Sequence, residues 1–227
     1  MCDRRDGTRW DHSSLRLLLW LAVFAAAFGY VEGAVAHYLR LQLYPGGFGA
    51  STSLVVDSHT LAVEAGRELC TLVVLAAAAA LGGGPFTRRL ASFVYVFAIW
   101  DLSYYGALWM FEGWPASPWD WDLLFLLPVP WFGPVLAPIL ISLIGIAGAV
   151  SVHVIFARRG ALAVPGYSIL SVNAALVAWE ISFMAYEGTG TRFPGEYRWW
   201  LFALGALLAM AGGLLAWRRN RAPDRCA

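Results

Sequence analysis

Long apolar stretches alternate with short polar ones along most of this chain. Six of them reach the roughly 20 residues that a helix needs to cross a hydrocarbon core. They run over about 15–36, 62–82, 90–111, 134–157, 167–187 and 197–217. Gly- and Pro-containing links such as Gly82-Gly83-Gly84-Pro85 and Val164-Pro165-Gly166 separate them. Lipid offers no partner to backbone N–H and C=O groups, so such runs are expected to be helical. The pattern predicts an all-α polytopic membrane bundle of six transmembrane helices, forming a single integral membrane domain over residues 1–227.

One region breaks the rhythm. The Pro- and Trp-rich segment over residues 112–133 leads into the fourth apolar run, and Trp119 to Pro138 reads WDWDLLFLLPVPWFGPVLAP. Proline lacks a donor and restricts its predecessor, and the run Leu123–Leu127 is too short to span. The segment therefore reads as a stiff, non-helical outer cover, either a rigid interfacial loop or a lid.

Composition narrows the class. The 227 residues are 59% hydrophobic and only 14% charged, against about a quarter charged in a soluble domain. A net charge of +1 gives no reason to expect a nucleic-acid partner. Cys2, Cys70 and Cys226 form no CxxC pair, which argues against disulfide and thiol-redox chemistry.

Arginine placement sets the direction. Arg4, Arg5, Arg9 and Arg16 precede or open the first run; Arg88 and Arg89 lie between the second and third, and Arg158 and Arg159 between the fourth and fifth. Arg218, Arg219, Arg221 and Arg225 follow the last. Only Arg40, Arg67, Arg192 and Arg198 fall on the other side. The positive-inside rule then places both termini in the cytoplasm of a bacterial inner membrane. A leader cleaved after Ala34-Val35-Ala36 is disfavoured by the long apolar run and by Glu32 just before the cut.

The acids fall on the opposite side. Asp3, Asp6, Asp11 and Asp224 are expected to be cytoplasmic, and the others lie in outer loops or in the outer halves of helices. A charged residue at mid-membrane costs about 2.5–3.5 kcal/mol. Glu32, Glu68, Asp101 and Glu180 are thus expected to share an interior site open to the outer side, with Glu64 one helical turn from Glu68. Asp101, Glu180 and Glu68 are the candidate catalytic residues; Trp100, Tyr104, Trp179 and Arg67 are candidates for contacting substrate. Glu32, Glu64, Glu68 and His37 could supply a divalent metal with oxygen and imidazole ligands. The plainer reading is a network of Arg40 and Arg67 with the acids that only locks helices together.

The third and fifth runs share a core, AIWDLSY at Ala98–Tyr104 and VAWEISF at Val177–Phe183. With Glu32 in the first run, this suggests three helical hairpins as repeats. Gly29 and Gly33 form a GxxxG pattern suited to close helix approach. The segments GYVEGAVAHYLR, AIWDLSYY and GWPASPWDWDLLFLLPVPWFGP resemble those of bacterial multi-pass membrane proteins without a named activity. The resemblance spans residues from about 28 to 145 and implies a membrane location, with no chemistry attached.

No HExxH, Walker loop or GxSxG is present. Three function classes fit. The first is a membrane-embedded enzyme or binding protein for an apolar substrate or metal. The second is a proton- or cation-coupled transporter. The third is an accessory subunit of a membrane complex. The lipid bilayer is the expected partner in each, with a homo-oligomer or a membrane complex as further partners. Confinement of the acids to one side favours a one-sided site.

Overall fold

A computed structural model of the chain describes residues 12–45, 48, 57–127, 131–154, 197–200, 202–208, 210 and 211. Four long helices dominate: α1 (His12–Leu43), α2 (Ser58–Leu81), α3 (Phe86–Glu112) and α4 (Leu136–Val154). A fifth, α5, is described at 202–208. Between α3 and α4 lies a small antiparallel hairpin of β1 (Trp121–Phe125) and β2 (Trp131–Pro134).

Each helix boundary has a local cause. Asp57 caps α2, its carboxylate accepting from the backbone N–H of His59 and Thr60 at 3.0 Å. After α2, Gly83 and Gly84 take positive φ, a conformation that side chains disfavour, and Pro85 enters α3. Gly113 ends α3 in the left-handed conformation, its N–H bonding to the Trp109 carbonyl at 2.9 Å. Pro138 sits in the first turn of α4, where a missing N–H costs nothing.

The helices run up and down around α3. Gly29 of α1 faces Trp100, Ser103 and Tyr104, while Gly33 faces Tyr104 and Ala107, so α1 and α3 are parallel and in close contact. A Cβ on Gly29 would stand 2.5 Å from the Trp100 carbonyl oxygen. The GxxxG pattern is thus the seam between these two helices. Ser142 of α4 meets Asp101, Gly145 meets Val94 and Ala98, and His153 meets Ser92, which makes α4 antiparallel to α3. Thr71 meets Glu32 and Gly82 meets Leu17, setting α2 antiparallel to α1.

Two apolar clusters fill the bundle. One joins Leu21, Ala25, Leu75, Val96 and Trp100; the other joins Ala36, Tyr105, Leu108, Trp114 and Val135 beneath the hairpin. The outer faces are also apolar. Trp20 is 65% exposed and Tyr38 67%, whereas Glu32, Arg40, Asp101 and Asp122 are buried.

The all-α class stands, but the expectation of six membrane-crossing helices is corrected. Among the described residues, two helices are long and apolar enough to cross a membrane: Ser13–Leu43 and Leu136–His153. α2 carries Glu64, Arg67 and Glu68 within its apolar run, three charges that make an unaided crossing costly. In α3 the apolar run is diluted by Ser92, Tyr95, Asp101, Ser103, Tyr104 and Tyr105. The run at 167–187 lies outside the described residues, as do 201, 209 and 212–217 of the last run. The expected hairpin repeat between the third and fifth runs likewise falls partly outside them.

Candidate functional site

The buried charge gathers at the end of the bundle where α1 and α3 finish and the hairpin begins. Arg40, near the C-terminus of α1, donates to Glu112 at 2.5 Å and to Asp122 of β1 at 3.2 Å. Its guanidinium lies 3.8 Å from the ring centre of Trp114 and 4.1 Å from that of Phe48. Two carboxylates and two aromatic faces therefore hold one planar cation, an arrangement that suits arginine and not lysine. Glu112 also pairs with His37 at 3.0 Å, and the Tyr105 hydroxyl donates to Asp122 at 3.2 Å.

Asp122 is inward-facing because of its register. It pairs with Gly133 across the hairpin, and a bulge between Leu123 and Phe125 re-aims the chain beyond it. Burial pushes its carboxyl above the ordinary aspartate value, against the pull of Arg40 and the Tyr105 hydroxyl.

A second arginine organises α1 and α2. Arg67 bonds to the Glu32 carboxylate and, at 2.8 Å, to Glu64 one turn away on its own helix. The other Glu32 oxygen accepts from Thr71 Oγ1 at 2.7 Å. Both arginines are thus shared between two carboxylates.

Two helix carboxylates are held differently. Glu68 accepts from the Leu126 N–H at 2.7 Å, just past the end of β1, and Asp101 accepts from Ser142 Oγ at 2.9 Å. Neither forms an ion pair among the described residues. Tyr104 follows Asp101 by one turn on α3 and abuts Gly29 and Gly33 of α1 through its backbone. Its ring stacks on Trp100 at 6.1 Å, and Trp100 also packs on Phe125 of the hairpin at 6.1 Å. Among the described residues, Trp100 Nε1 is the one buried side-chain polar atom with no hydrogen-bond partner.

Of the residues singled out from sequence, Arg67, Glu32 and Glu64 form one linked set, Glu68 bonds the chain just past β1, Asp101 bonds α4, and Trp100 and Tyr104 stack on each other. His37 pairs with Glu112. Glu180 and Trp179 lie outside the described residues. The proposed metal set is not assembled: Glu32 and Glu64 face Arg67, and His37 faces Glu112. Among the described residues, no group of three or more His, Cys, Asp or Glu side chains is placed to hold a metal ion.

Sequence reasoning missed Glu112, Asp122, Thr71 and Ser142. Asp122 left a trace, an acid inside the aromatic run WDWDLLF, where a solvated loop has no need of flanking tryptophans.

A separate polar cluster closes the opposite end. His153 is buried, with Ser92 at 3.1 Å from Nε2 and Arg88 Nε at 3.4 Å from Nδ1; Arg88 also donates to Ser14. Because Arg88 can only donate, Nδ1 is the acceptor and Nε2 carries the proton toward Ser92. That tautomer cannot draw a proton from Ser92, so the pair is a structural tie between α3 and α4. Leu21, Ala25, Leu75 and Val96 fill the space between this cluster and Trp100.

No protein-family model matches this chain, and no curated protein or solved structure matches it either.

Proposed function

We propose that this chain is a multi-pass protein of the bacterial inner membrane, with N- and C-termini inside. It binds an apolar, lipid-like substrate at an outer-side site where Asp101 and Glu68 act as general acid and base. Glu180 is a third candidate for that role. The carrying observation is an inverted distribution of polarity. Glu32, Arg40, Asp101 and Asp122 are buried, while large apolar side chains such as Trp20 and Tyr38 cover the outside. Soluble domains bury charge rarely, whereas in lipid the apolar face is the solvated one and ionisable groups turn inward. Only 28% of the apolar stretch of α1 and 22% of that of α4 are buried, which suits helices that contact lipid.

An acid–base role suits Glu68 and Asp101 because neither forms an ion pair among the described residues. Their ligands are a backbone N–H and a hydroxyl. Glu32, Glu64, Glu112 and Asp122 are committed to Arg67 and Arg40. Confinement of the site to one side is supported by the apolar layer of Leu21, Ala25, Leu75 and Val96, three of them fully enclosed. Among the described residues, a proton or cation crossing that layer would meet no polar ligand, which disfavours the transporter reading.

The test is reconstitution of the purified protein in liposomes, together with mass spectrometry of lipids extracted from it. Co-purifying lipid is expected in the wild type and depleted in Asp101→Asn and Glu68→Gln, both of which still insert. Proton- or cation-coupled flux into the liposomes would overturn the proposal in favour of transport.

A further inference from the structure

The end of the bundle away from the buried acids carries cations of its own. On the membrane reading proposed above, we infer that the α2–α3 turn and the start of α1 bind an anionic phospholipid of the inner leaflet. Its phosphate lies on Arg88 and Arg89, and its acyl chain lies against Leu81 and Phe86. This lipid contact is separate from the outer-side substrate site.

Direct contacts place these groups together. Arg88 donates to Ser14 of α1 at 2.8 Å, and Arg89 Nε donates to the Gly84 carbonyl at 2.9 Å. A Cβ on Gly84 would stand 3.0 Å from Arg88 Cδ, and one on Gly82 would stand 3.2 Å from Leu17 of α1. Leu81 and Phe86 are the helix-terminal residues on either side of that turn.

The first observation is charge without a protein counter-ion. Arg40 and Arg67 are each held by two carboxylates. Among the described residues, Arg16, Arg88 and Arg89 are paired with none. Along α3 the first acid after Arg89 is Asp101, about 18 Å up the helix. Asp3, Asp6, Asp11 and Asp224, the acids expected on this side, lie outside the described residues. They number four against twelve arginines expected there, so eight arginines stay unmatched even if every acid takes one.

The second is the preparation of Arg88. Its Nε faces His153 Nδ1 at 3.4 Å and one Nη donates to Ser14, which uses two of its five N–H groups. Its other nitrogen is not enclosed, since Trp100 Nε1 is the one buried, unpartnered side-chain polar atom among the described residues. A guanidinium fixed at two points with open N–H groups suits the oxygens of a phosphate. Arg89 is exposed and turns back toward the start of α3, as a cation reaching for the interface does.

The third is apolar surface beside these cations. Leu81 is 89% exposed and Phe86 77%. A free phosphate leaves both uncovered, whereas a phospholipid brings an acyl chain next to its phosphate. Basic clusters at the cytoplasmic ends of helices favour anionic lipid. A zwitterionic lipid carries an ammonium that the arginines repel.

The experiment titrates the full chain, purified in detergent, with dioleoyl phosphatidylglycerol, dioleoyl phosphatidylcholine and inorganic phosphate, counting bound lipid by native mass spectrometry. Phosphatidylglycerol is expected to bind at least about tenfold more tightly than phosphatidylcholine, and inorganic phosphate should not displace it. That comparison needs no variant. Arg89→Gln should weaken phosphatidylglycerol by about fivefold, the worth of one arginine near an anionic headgroup, and leave phosphatidylcholine unchanged. Arg89→Lys should recover most of that loss, and the preference should persist in Asp101→Asn.

Equal binding of the two lipids would overturn this inference and leave the outer-side proposal standing. So would a preference that Arg89→Gln does not reduce, one that Asp101→Asn abolishes, or displacement by inorganic phosphate. Retention of neither lipid would overturn the membrane reading itself.

Discussion

Replacing Gly29 with alanine tests the seam on which the site is built. An alanine Cβ at this position would stand 2.5 Å from the Trp100 carbonyl oxygen and 2.8 Å from Ser103 Cβ. Ordinary contact begins near 3.4 Å, so the helices must part by close to 0.9 Å. The obstacle is main chain, which cannot swing aside as a side chain would. Overpacking by one methyl costs about 1–3 kcal/mol, partly offset by the gain of about 1 kcal/mol from replacing a helical glycine. The net expectation is a loss of up to about 2 kcal/mol. Gly66 supplies the control, since a Cβ there meets nothing within 4 Å. Gly66→Ala should stabilise by up to about 1 kcal/mol through helix propensity alone. The assay is loss of helical circular dichroism during titration of the detergent-purified protein with a denaturing detergent. A Gly29→Ala midpoint equal to or above that of Gly66→Ala would refute the parallel seam between α1 and α3.

Two further perturbations address the charges. Arg40→Met should destabilise by about 3–5 kcal/mol, because it strands buried Asp122 and removes the cation from Glu112; the double variant with Asp122→Asn should recover part of that loss in the same titration, and no recovery would mean the pair is uncoupled. Hydrogen bonds from Thr60, from its side chain first and then its backbone, hold the Asp57 carboxyl below its ordinary value. A lowered value in the folded state means that the cap strengthens the start of α2 above the ordinary aspartate range and that this support fades as pH falls through the lowered value. Amide-exchange protection at His59 and Thr60, corrected for intrinsic rates, should fall over that acidic window and stay flat in Asp57→Asn.

Much of this architecture was legible because apolar length and punctuation are local properties. The runs expected at 62–82 and 90–111 lie within α2 (Ser58–Leu81) to one residue and within α3 (Phe86–Glu112), whose limits are set by Asp57, the Gly83-Gly84-Pro85 turn and Gly113. The first run was expected to stop at 36, yet α1 continues to Leu43. The extra turns carry His37 and Arg40, which look like a solvated end until Glu112 and Asp122 are brought up from 72 to 82 residues away. Such partners leave no periodic signal. For the same reason the gathering of acids could be inferred from insertion cost, while their division into guanidinium-bound and unpaired groups could not.

The segment after α3 was read as irregular cover because prolines 128 and 130 exclude a helix there. Two short paired strands emerged because Trp121–Phe125 can find a partner in Trp131–Pro134 beyond those prolines. Counting apolar runs overstated the number of self-sufficient crossings. Glu64, Arg67 and Glu68 make α2 dependent on its neighbours, and no count of apolar residues registers that dependence.

The long sequence separations within the ion pairs impose an order on biogenesis. Glu32 leaves the ribosome with α1, but Arg67 and Thr71 follow 35 and 39 residues later. Arg40 must wait longer, until Glu112 and then Asp122 have been synthesised. During translation α1 is thus a helix carrying an unmatched acid and an unmatched base, made neutral first by α2 and then by α3 with its hairpin. A ribosome stalled once α1 alone has emerged should display a nascent chain with both charges unmatched, whereas one stalled once Asp122 has emerged should display a chain able to close its own charges.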